Sequence, residues 1–412
     1  MKPLLVSTFD LEGGAARAAH RLHEALVRAG VSSHLLVQMQ TGDADNVIGP
    51  SGRRQRAWAR LRPVLDGSVL GLYPDRTTSM FSPAWLPGGA GGRIRDIDHD
   101  VLNLHWVAAG FLSIEDVRRQ ERPIVWTLHD MWLFTGGCHY SGDCDGYLRA
   151  CGTCPELGSK RPADLSRLVW KRKSRSWGNL QIAVVSPTNW LAEAARSSSL
   201  FEDSQIHVIP NGVDTRRFHP LPKTVAREAL GLPQDKTLVA FGALDLSEQR
   251  KGGALLLEAV SKLESRIPPG SVELVVFGSS HPRGQAESRF PTRYVGRLAD
   301  DVALALLYSA VDIVVVPSLY EAQSLVAIEA MACATPCVAF RVEGLSEVID
   351  HGDNGLLADP FDTGDLADAI AEMATNDSFR AQASTRARTT AVARWEVTLI
   401  AERYESLYAS VI

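Results

Sequence analysis

The stretch that most constrains this chain is Ser318 to Ala332, SLYEAQSLVAIEAMA. Ahead of it, Asp312 to Pro317 is an apolar run that stops at a proline, which is the pattern of a buried strand. From Leu325 onward, the spacing of Leu325, Ile328 and Met331 predicts a helix packed on a sheet by that face. Glu321 to Ser324 then form the turn between strand and helix, at the carboxyl edge of a parallel sheet. Open α/β sheets bind ligands at that edge, because backbone N–H groups and the positive end of the helix dipole converge there on an anion. Glu321 in the turn and Glu329 a helical turn beyond Leu325 are both placed to face such a ligand. The combination suits a phosphorylated, hydroxyl-rich molecule.

A chain of 412 residues that is 45% hydrophobic makes two or more domains, each with its own core. No uncharged apolar run approaches the roughly 18 to 20 residues that span a bilayer, and MKPLLVSTFD turns polar too early for a signal peptide. The expected location is therefore the cytoplasm. A net charge of −5 points to no nucleic-acid partner. Two basic segments stand out locally, 53–62 with its run of arginines and 168–177 with Lys171, Arg172, Lys173 and Arg175 between tryptophans. They read either as solvated faces or as peripheral contacts with a membrane or an anionic acceptor.

Residues 3–9 predict a first strand, and a helix follows through about Arg28. Gly13 and Gly14 lie in the loop between them, free to adopt positive φ and to let a phosphate approach the helix start. A simple tight turn explains the pair equally well, and without GxGxxG no nicotinamide dinucleotide is indicated. Val31 to Gln38 makes a second strand, and the loop-rich 41–92 reads as lid or acceptor-side structure. Strands resume at 100–106 and 123–128. The second of these ends in His129-Asp130, where an imidazole can exchange one hydrogen bond with a sugar hydroxyl; position alone leaves open a core histidine bonded to backbone.

Next come Cys138, Cys144, Cys151 and Cys154, four thiols within 17 residues of a glycine- and aspartate-rich loop, with His139 available. The number and flexibility suit a closed tetrahedral structural zinc site, against free thiols or an iron–sulfur cluster. With no open coordination position, such a metal would hold the loop after His129 rather than act on substrate. Cys333 and Cys337 look like core filler. A second α/β series starts at Thr237, with strands at 237–243, 272–277, 293–295 and 337–340. Within it, Arg250-Lys251-Gly252 precedes a helix, and two cations at a helix start oppose its dipole unless an anion binds there. The expected anion is a diphosphate.

These motifs together resemble the GT-B-fold retaining glycosyltransferases of family GT4. The resemblance covers nearly the whole chain and rests on EGGAARAAHRL at 12–22, TLHD at 127–130, VSPTNW at 185–190, IPNGVD at 209–214, RKG at 250–252 and PSLYEAQSLVAIEAMA at 317–332, whose E-x7-E is specific. The segment from His129 through the cysteines resembles a subset of colanic-acid-type polysaccharide-synthesis transferases. The resemblance implies an α/β chain of two Rossmann-like domains facing each other across a cleft. The first spans 1–215 and is completed by a C-terminal helix at 393–412; the second, which binds the nucleotide sugar, spans 216–392.

By the same resemblance, Glu329 would bind the ribose hydroxyls and Glu321 would contact the donor sugar. Backbone N–H groups of Ser324 and Leu325 would meet the diphosphate, neutralised by Lys251. His129 would touch the transferred sugar, Gly13 and Gly14 would line the diphosphate from the acceptor side, and Gly296-Arg297 would cradle the base. Ala243 stands where the family has the arginine of a Gly-Arg dipeptide, so Arg250 is the candidate replacement. Ala334 stands where glycine is usual, at a cost of roughly 1 kcal/mol if the residue is left-handed.

The expected reaction is transfer of a sugar from a UDP- or GDP-sugar to a hydroxyl of a glycan, lipid-linked or small-molecule acceptor, with retention. The sequence has no DxD-like dipeptide at a strand end, so catalysis is expected without a divalent metal or other cofactor. The alternatives are a nucleotide-sugar epimerase or phosphorylase on the same fold, the latter lacking a pyridoxal lysine motif here, and a non-catalytic glycan-binding pseudo-transferase.

Overall fold

The computed structural model describes residues 1–412 except 45, 88, 243–248, 269, 279–289 and 299. The chain divides into two compact units, Met1–Gly212 with Thr398–Ile412, and Val213–Val397. These boundaries lie a few residues from the expected 215/216 and 392/393.

The described strands of the first unit are β1 (Pro3–Phe9), β2 (His34–Met39), β3 (Val47–Ile48), β4 (Val101–Leu104), β5 (Ile124–Thr127), β6 (Ile182–Ser186) and β7 (Ile206–Val208). They form one sheet in the order β3-β2-β1-β4-β5-β6-β7, every described pair parallel. Leu4, Leu5, Val6, Leu102, Leu104, Val125 and Val184 are fully buried, which is why these strands read as near-continuous apolar runs rather than alternating ones. The C-terminal helix Val397–Val411 returns to this sheet through two buried tyrosines. The Tyr408 hydroxyl donates to Asn103 Oδ1 at 2.6 Å, and the Tyr404 hydroxyl bonds the Thr127 hydroxyl at 3.0 Å.

The second unit contributes β8 (Thr237–Gly242), β9 (Val272–Phe277), β10 (Thr292–Gly296), β11 (Ile313–Val316), β12 (Cys337–Phe340) and β13 (Gly355–Ala358). Their order is β10-β9-β8-β11-β12-β13, again with every described pair parallel. One apolar core joins this sheet to the helices on its faces, including Asp377–Trp395, which packs through Ala383, Ala387, Ala391 and Trp395. Cys333 and Cys337 are buried in that core.

Both orders reverse once, between β1 and β4 and between β8 and β11. The reversal splays the loops on either side and opens a crevice at the carboxyl ends of the strands. Ligand chemistry is therefore expected after β1 and β4 in one unit, and after β8 and β11 in the other.

Candidate functional site

In the second unit the turn after β11 and the turn before helix Gly253–Leu263 are joined backbone to backbone. The Leu319 N–H donates to the Arg250 carbonyl at 2.8 Å, and the Arg250 guanidinium to the Tyr320 carbonyl at 3.1 Å. Gly252 makes the contact possible. It is left-handed, with φ 68°, and a Cβ added there would lie 1.8 Å from the Pro317 carbonyl oxygen. The glycine of Arg250-Lys251-Gly252 is thus required by both conformation and space.

Lys251 Nζ lies 2.5 Å from Glu321 Oε1, Arg250 Nη1 lies 3.7 Å from the same oxygen, and the Ser318 hydroxyl donates to it at 3.1 Å. Burial opposes ionisation of Glu321, but the two cations and the hydroxyl hold its carboxyl below the ordinary range. Glu343 accepts the Glu321 N–H at 3.0 Å. Burial, with the Glu321 carboxylate beside it, pushes Glu343 up to about 8, against the downward pull of that N–H bond. One carboxyl is thus held ionised and its neighbour is held protonated near neutrality.

Ser324 is the N-cap of helix Leu325–Ala332, its hydroxyl accepting the Ala327 N–H at 3.4 Å. The first N–H groups of the helix have no acceptor within it, so they are aimed out of the carboxyl edge of the sheet. Glu329 is 3% exposed and accepts the Tyr308 hydroxyl at 3.1 Å. Ile328 and Met331 are wholly buried as the spacing predicts, whereas Leu325 is only partly covered. Arg297 follows β10 directly after Gly296, whose φ is 72°. Ala243 lies outside the described residues.

In the first unit Gly13, with φ 86° and no atom within 4 Å of an added Cβ, caps helix Gly14–Arg28. The space and the positive φ favour an open helix start over a packed turn. Beyond β5, His129 Nε2 lies 3.0 Å from His105 Nδ1, which stands at the end of β4, and the rings stack at 5.3 Å. His105 is 3% exposed. Burial pulls His129 down to about 4, although Asp130 pulls the other way, and burial drives His105 well below its usual value. Both imidazoles are therefore neutral at physiological pH.

Asp130 anchors a second group of side chains. Its Oδ2 meets His139 Nδ1 at 2.6 Å and accepts the Trp106 indole N–H at 3.0 Å, while Oδ1 accepts the Trp132 N–H at 2.8 Å. His139 Nε2 in turn meets the Ser82 hydroxyl at 2.8 Å. Burial opposes the charge on Asp130, but His139 and the Trp132 N–H hold it below the ordinary range. With both nitrogens engaged, His139 is committed to Asp130 and Ser82 and is not available to a metal. His105, Glu343 and Tyr308 were not singled out by motif, and His139 was singled out only as a spare metal ligand. A signal for one of them existed: Leu104-His105-Trp106 and Leu128-His129-Asp130 place a histidine at equivalent ends of adjacent strands.

The segment 168–177 belongs to helix Leu165–Trp177, where Lys173 and Trp177 are buried and Arg172 pairs with Glu115 at 2.7 Å, while Leu168, Lys171 and Arg175 are exposed. Segment 53–62 lies in helix Arg53–Gly67, where the buried Arg62 donates to carbonyls of Leu86, Pro87 and Gly110. Its other arginines are exposed, together with Trp58 at 47% and Leu61 at 45%. No helix among the described residues is long and apolar enough to cross a membrane.

Comparisons with known proteins bear on the same two-unit, parallel-sheet chain. Residues 12–217 match the family model Glycosyltransferase Family 4, and residues 235–376 match Glycosyl transferases group 1. The chain belongs to glycosyltransferase family 4. The D-inositol 3-phosphate glycosyltransferase of Pseudarthrobacter chlorophenolicus is 30% identical over 318 residues, 71% of this chain and 69% of that protein. Three further relatives of the same name, 37 to 38% identical, are matched over only 42 to 45% of their length, so the chain spans less than half of them. These relatives carry an inositol phosphate name rather than a colanic-acid one.

Among solved structures, sucrose-phosphate synthase from Thermosynechococcus elongatus superposes over 100% of this chain and 99% of its own, with TM-score 0.70 and 21% identity. Anabaena Alr3699/HepE in complex with UDP-glucose does so over 100% of both chains, with TM-score 0.66 and 18% identity. At such identities the likeness establishes the GT-B fold.

Proposed function

We propose that this protein transfers a sugar from a nucleoside diphosphate sugar to a hydroxyl of a polyol acceptor, with retention of anomeric configuration. The observation that carries the reading is Lys251 and Arg250 gathered on Glu321, beside the N-terminus of helix Leu325–Ala332 at the reversal point of the second sheet. Bond cleavage leaves negative charge on a diphosphate, so its stabilisation is the largest requirement of the reaction. Two cations and a helix start meet it from this chain's own groups. On donor binding Lys251 exchanges Glu321 for the diphosphate, which frees the Glu321 carboxylate for hydroxyls of the donor sugar. Glu329 takes the ribose hydroxyls, and Arg297 lies against the base.

In the first unit, the neutral His129 offers the ring nitrogen that does not face His105 to a hydroxyl of the transferred sugar. Gly13 and Gly14 admit the diphosphate to the start of their helix. The departing phosphate oxygen accepts the acceptor proton on the face it leaves, so no protein nucleophile is required. UDP is the preferred nucleotide, because the similar Alr3699/HepE was solved with UDP-glucose. A phosphorylated cyclitol is the first acceptor to try, because the relatives are named for one.

Incubation with UDP-sugars and D-inositol 3-phosphate, read by NMR of the anomeric proton, tests the reading. A product of inverted configuration overturns retention, and rates that require added magnesium or manganese overturn metal-independent catalysis. A pseudo-transferase would bind UDP in a calorimetric titration yet consume no donor. Unchanged donor affinity in Glu329→Ala removes that residue from the ribose.

A further inference from the structure

Cys138, Cys144, Cys151 and Cys154 line one cavity in the first unit, whose exposed lining is almost wholly apolar. All four are free thiols, and Phe81, Leu157 and Leu70 close an apolar shell around Cys138 and Cys154. The Gly146 N–H donates to the Cys144 sulfur at 3.4 Å. Such a bond stabilises a thiolate rather than a thiol. The backbone also crowds the sulfurs: a Cβ on Gly136 would lie 2.9 Å from Cys151 Sγ, and one on Gly146 would lie 3.3 Å from Cys144 Sγ. Three successive residues, Cys151, Gly152 and Thr153, hold positive φ of 48°, 105° and 50°. For the two that are not glycine this conformation persists only where the surroundings enforce it.

A buried cation completes the arrangement. Lys173 has no exposed surface, donates to the carbonyls of Trp132 and Thr135, and lies 3.8 Å from the centre of the Trp132 ring. The Cys138 and Cys151 sulfurs and Asp130 are among the groups around it. Asp130 is already engaged by His139. A buried ammonium requires a compensating anion, and a zinc ion bound by four thiolates carries two negative charges.

We propose that Cys138, Cys144, Cys151 and Cys154 hold one structural zinc ion, with Lys173 as its counter-cation, and that this ion fixes the segment that presents His139 to Asp130. Four sulfur ligands with no open position are the composition of a structural tetrahedral site. Binding releases four protons and changes no oxidation state: Zn2+ and four thiols give the tetrathiolate and four H+. In the thiol form no three His, Cys, Asp or Glu side chains among the described residues stand at coordinating spacing, so binding turns the sulfurs inward across the cavity. Cys138 is the first ligand and His139 the next residue. His139 is fixed by its own N–H to Met80 at 3.3 Å and by its carbonyl, which accepts the Met131 N–H at 2.9 Å. The metal thereby reaches Asp130, next to His129, through one peptide bond and one hydrogen bond.

The test is elemental analysis of the full chain purified without a polyhistidine tag, with about one zinc per chain expected. Cys333→Ser and Cys337→Ser retain the zinc, whereas Cys144→Ser loses it. Because that variant can fail for reasons of folding, parent protein stripped with a chelator is titrated with cobalt(II). The intense visible bands of tetrahedral cobalt thiolate are expected, and Lys173→Met weakens the binding by roughly 10- to 100-fold. Chelation also opens the 138–154 segment to limited proteolysis, and zinc closes it again. Zinc-free protein whose cobalt titration shows no thiolate bands overturns the site. So do iron with labile sulfide, or disulfides among the four cysteines. Lys173→Met that binds cobalt as tightly as the parent overturns the counter-cation.

Discussion

Gly252→Ala offers a direct test of how the candidate site of the second unit is built. The added Cβ would lie 1.8 Å from the Pro317 carbonyl oxygen, so reaching even 3.0 Å requires the two turns to part by about 1.2 Å. The left-handed φ of 68° adds its own strain, roughly 1–2 kcal/mol for alanine. Forcing a methyl into a close contact costs roughly 1–3 kcal/mol more. Together these lower the stability of Val213–Val397 by roughly 2–5 kcal/mol, or roughly 4–20 °C in its melting temperature. The parting also carries Lys251 away from Glu321, now 2.5 Å distant, and from any diphosphate beside it. Loss of one charged hydrogen bond weakens UDP binding by roughly tenfold or more. Differential scanning calorimetry and a calorimetric UDP titration read the two effects. Gly13→Ala is the control: with φ 86° and nothing within 4 Å of its Cβ, it carries the conformational strain without the collision. A Gly252→Ala protein whose melting and UDP affinity match the parent would refute the proposed joint between the turns.

Ala334 has φ 61°, so Ala334→Gly removes roughly 1–2 kcal/mol of strain and returns roughly 0.5–1 in chain entropy; a melting temperature that falls contradicts this. Glu343 and His129 contribute to stability with opposite dependence on pH. Glu343, raised in the folded state from 4.5 to about 8, binds more protons folded than unfolded across that window, so its contribution is complete below pH 4.5 and is lost as pH rises to about 8. Glu343→Gln keeps the acceptor for the Glu321 N–H and flattens the dependence in urea melts at pH 5 and pH 8. His129, lowered from 6.5 to about 4, acts the other way: its contribution is complete above 6.5 and is lost as pH falls through 4. The exposed arginines, Trp58 and Leu61 of helix Arg53–Gly67 predict sedimentation with phosphatidylglycerol vesicles at low salt. Phosphatidylcholine vesicles that bind equally would contradict the charge dependence.

The strands of both sheets were legible because parallel strands covered on both faces are written as unbroken apolar runs, as at Val272–Phe277. β3 and β13 were not, being two and four residues long and carrying too little pattern. Helix Asp377–Trp395 was missed for a different reason: it buries alanines at 383, 387 and 391, and an alanine stripe hardly changes hydropathy along the turn. Ala334 shows the reverse case, since only its context before Thr335-Pro336 told of the left-handed turn. Glu321, Lys251 and Glu329 could be placed because strand, turn and helix sit next to one another in sequence. Glu343 could not, because it reaches Glu321 from a separate loop, and sequence spacing carries no information about that approach.

The candidate site of the first unit repeats this lesson at greater distance. His129 is set by His105, 24 residues away, and Asp130 by His139, which itself rests on Ser82, 57 residues away. Each link joins a strand end to a loop, and loops ordinarily move more than the sheets that carry them. If His129 touches the transferred sugar as proposed, its imidazole must be held within about half an ångström of its working geometry, and a stiff 138–154 loop serves that. The loop holds small 3-10 turns at Gly146–Leu148 and Pro155–Leu157 and a left-handed run from Cys151 to Thr153, and it is tied to its surroundings by backbone bonds to Met80 and Arg161 and by the Asp164 carboxylate on the Cys154 N–H. The zinc proposed on the four sulfurs would add a further tie across the cavity they line, which would make the cysteines part of the account of His129 rather than a separate decoration of the fold.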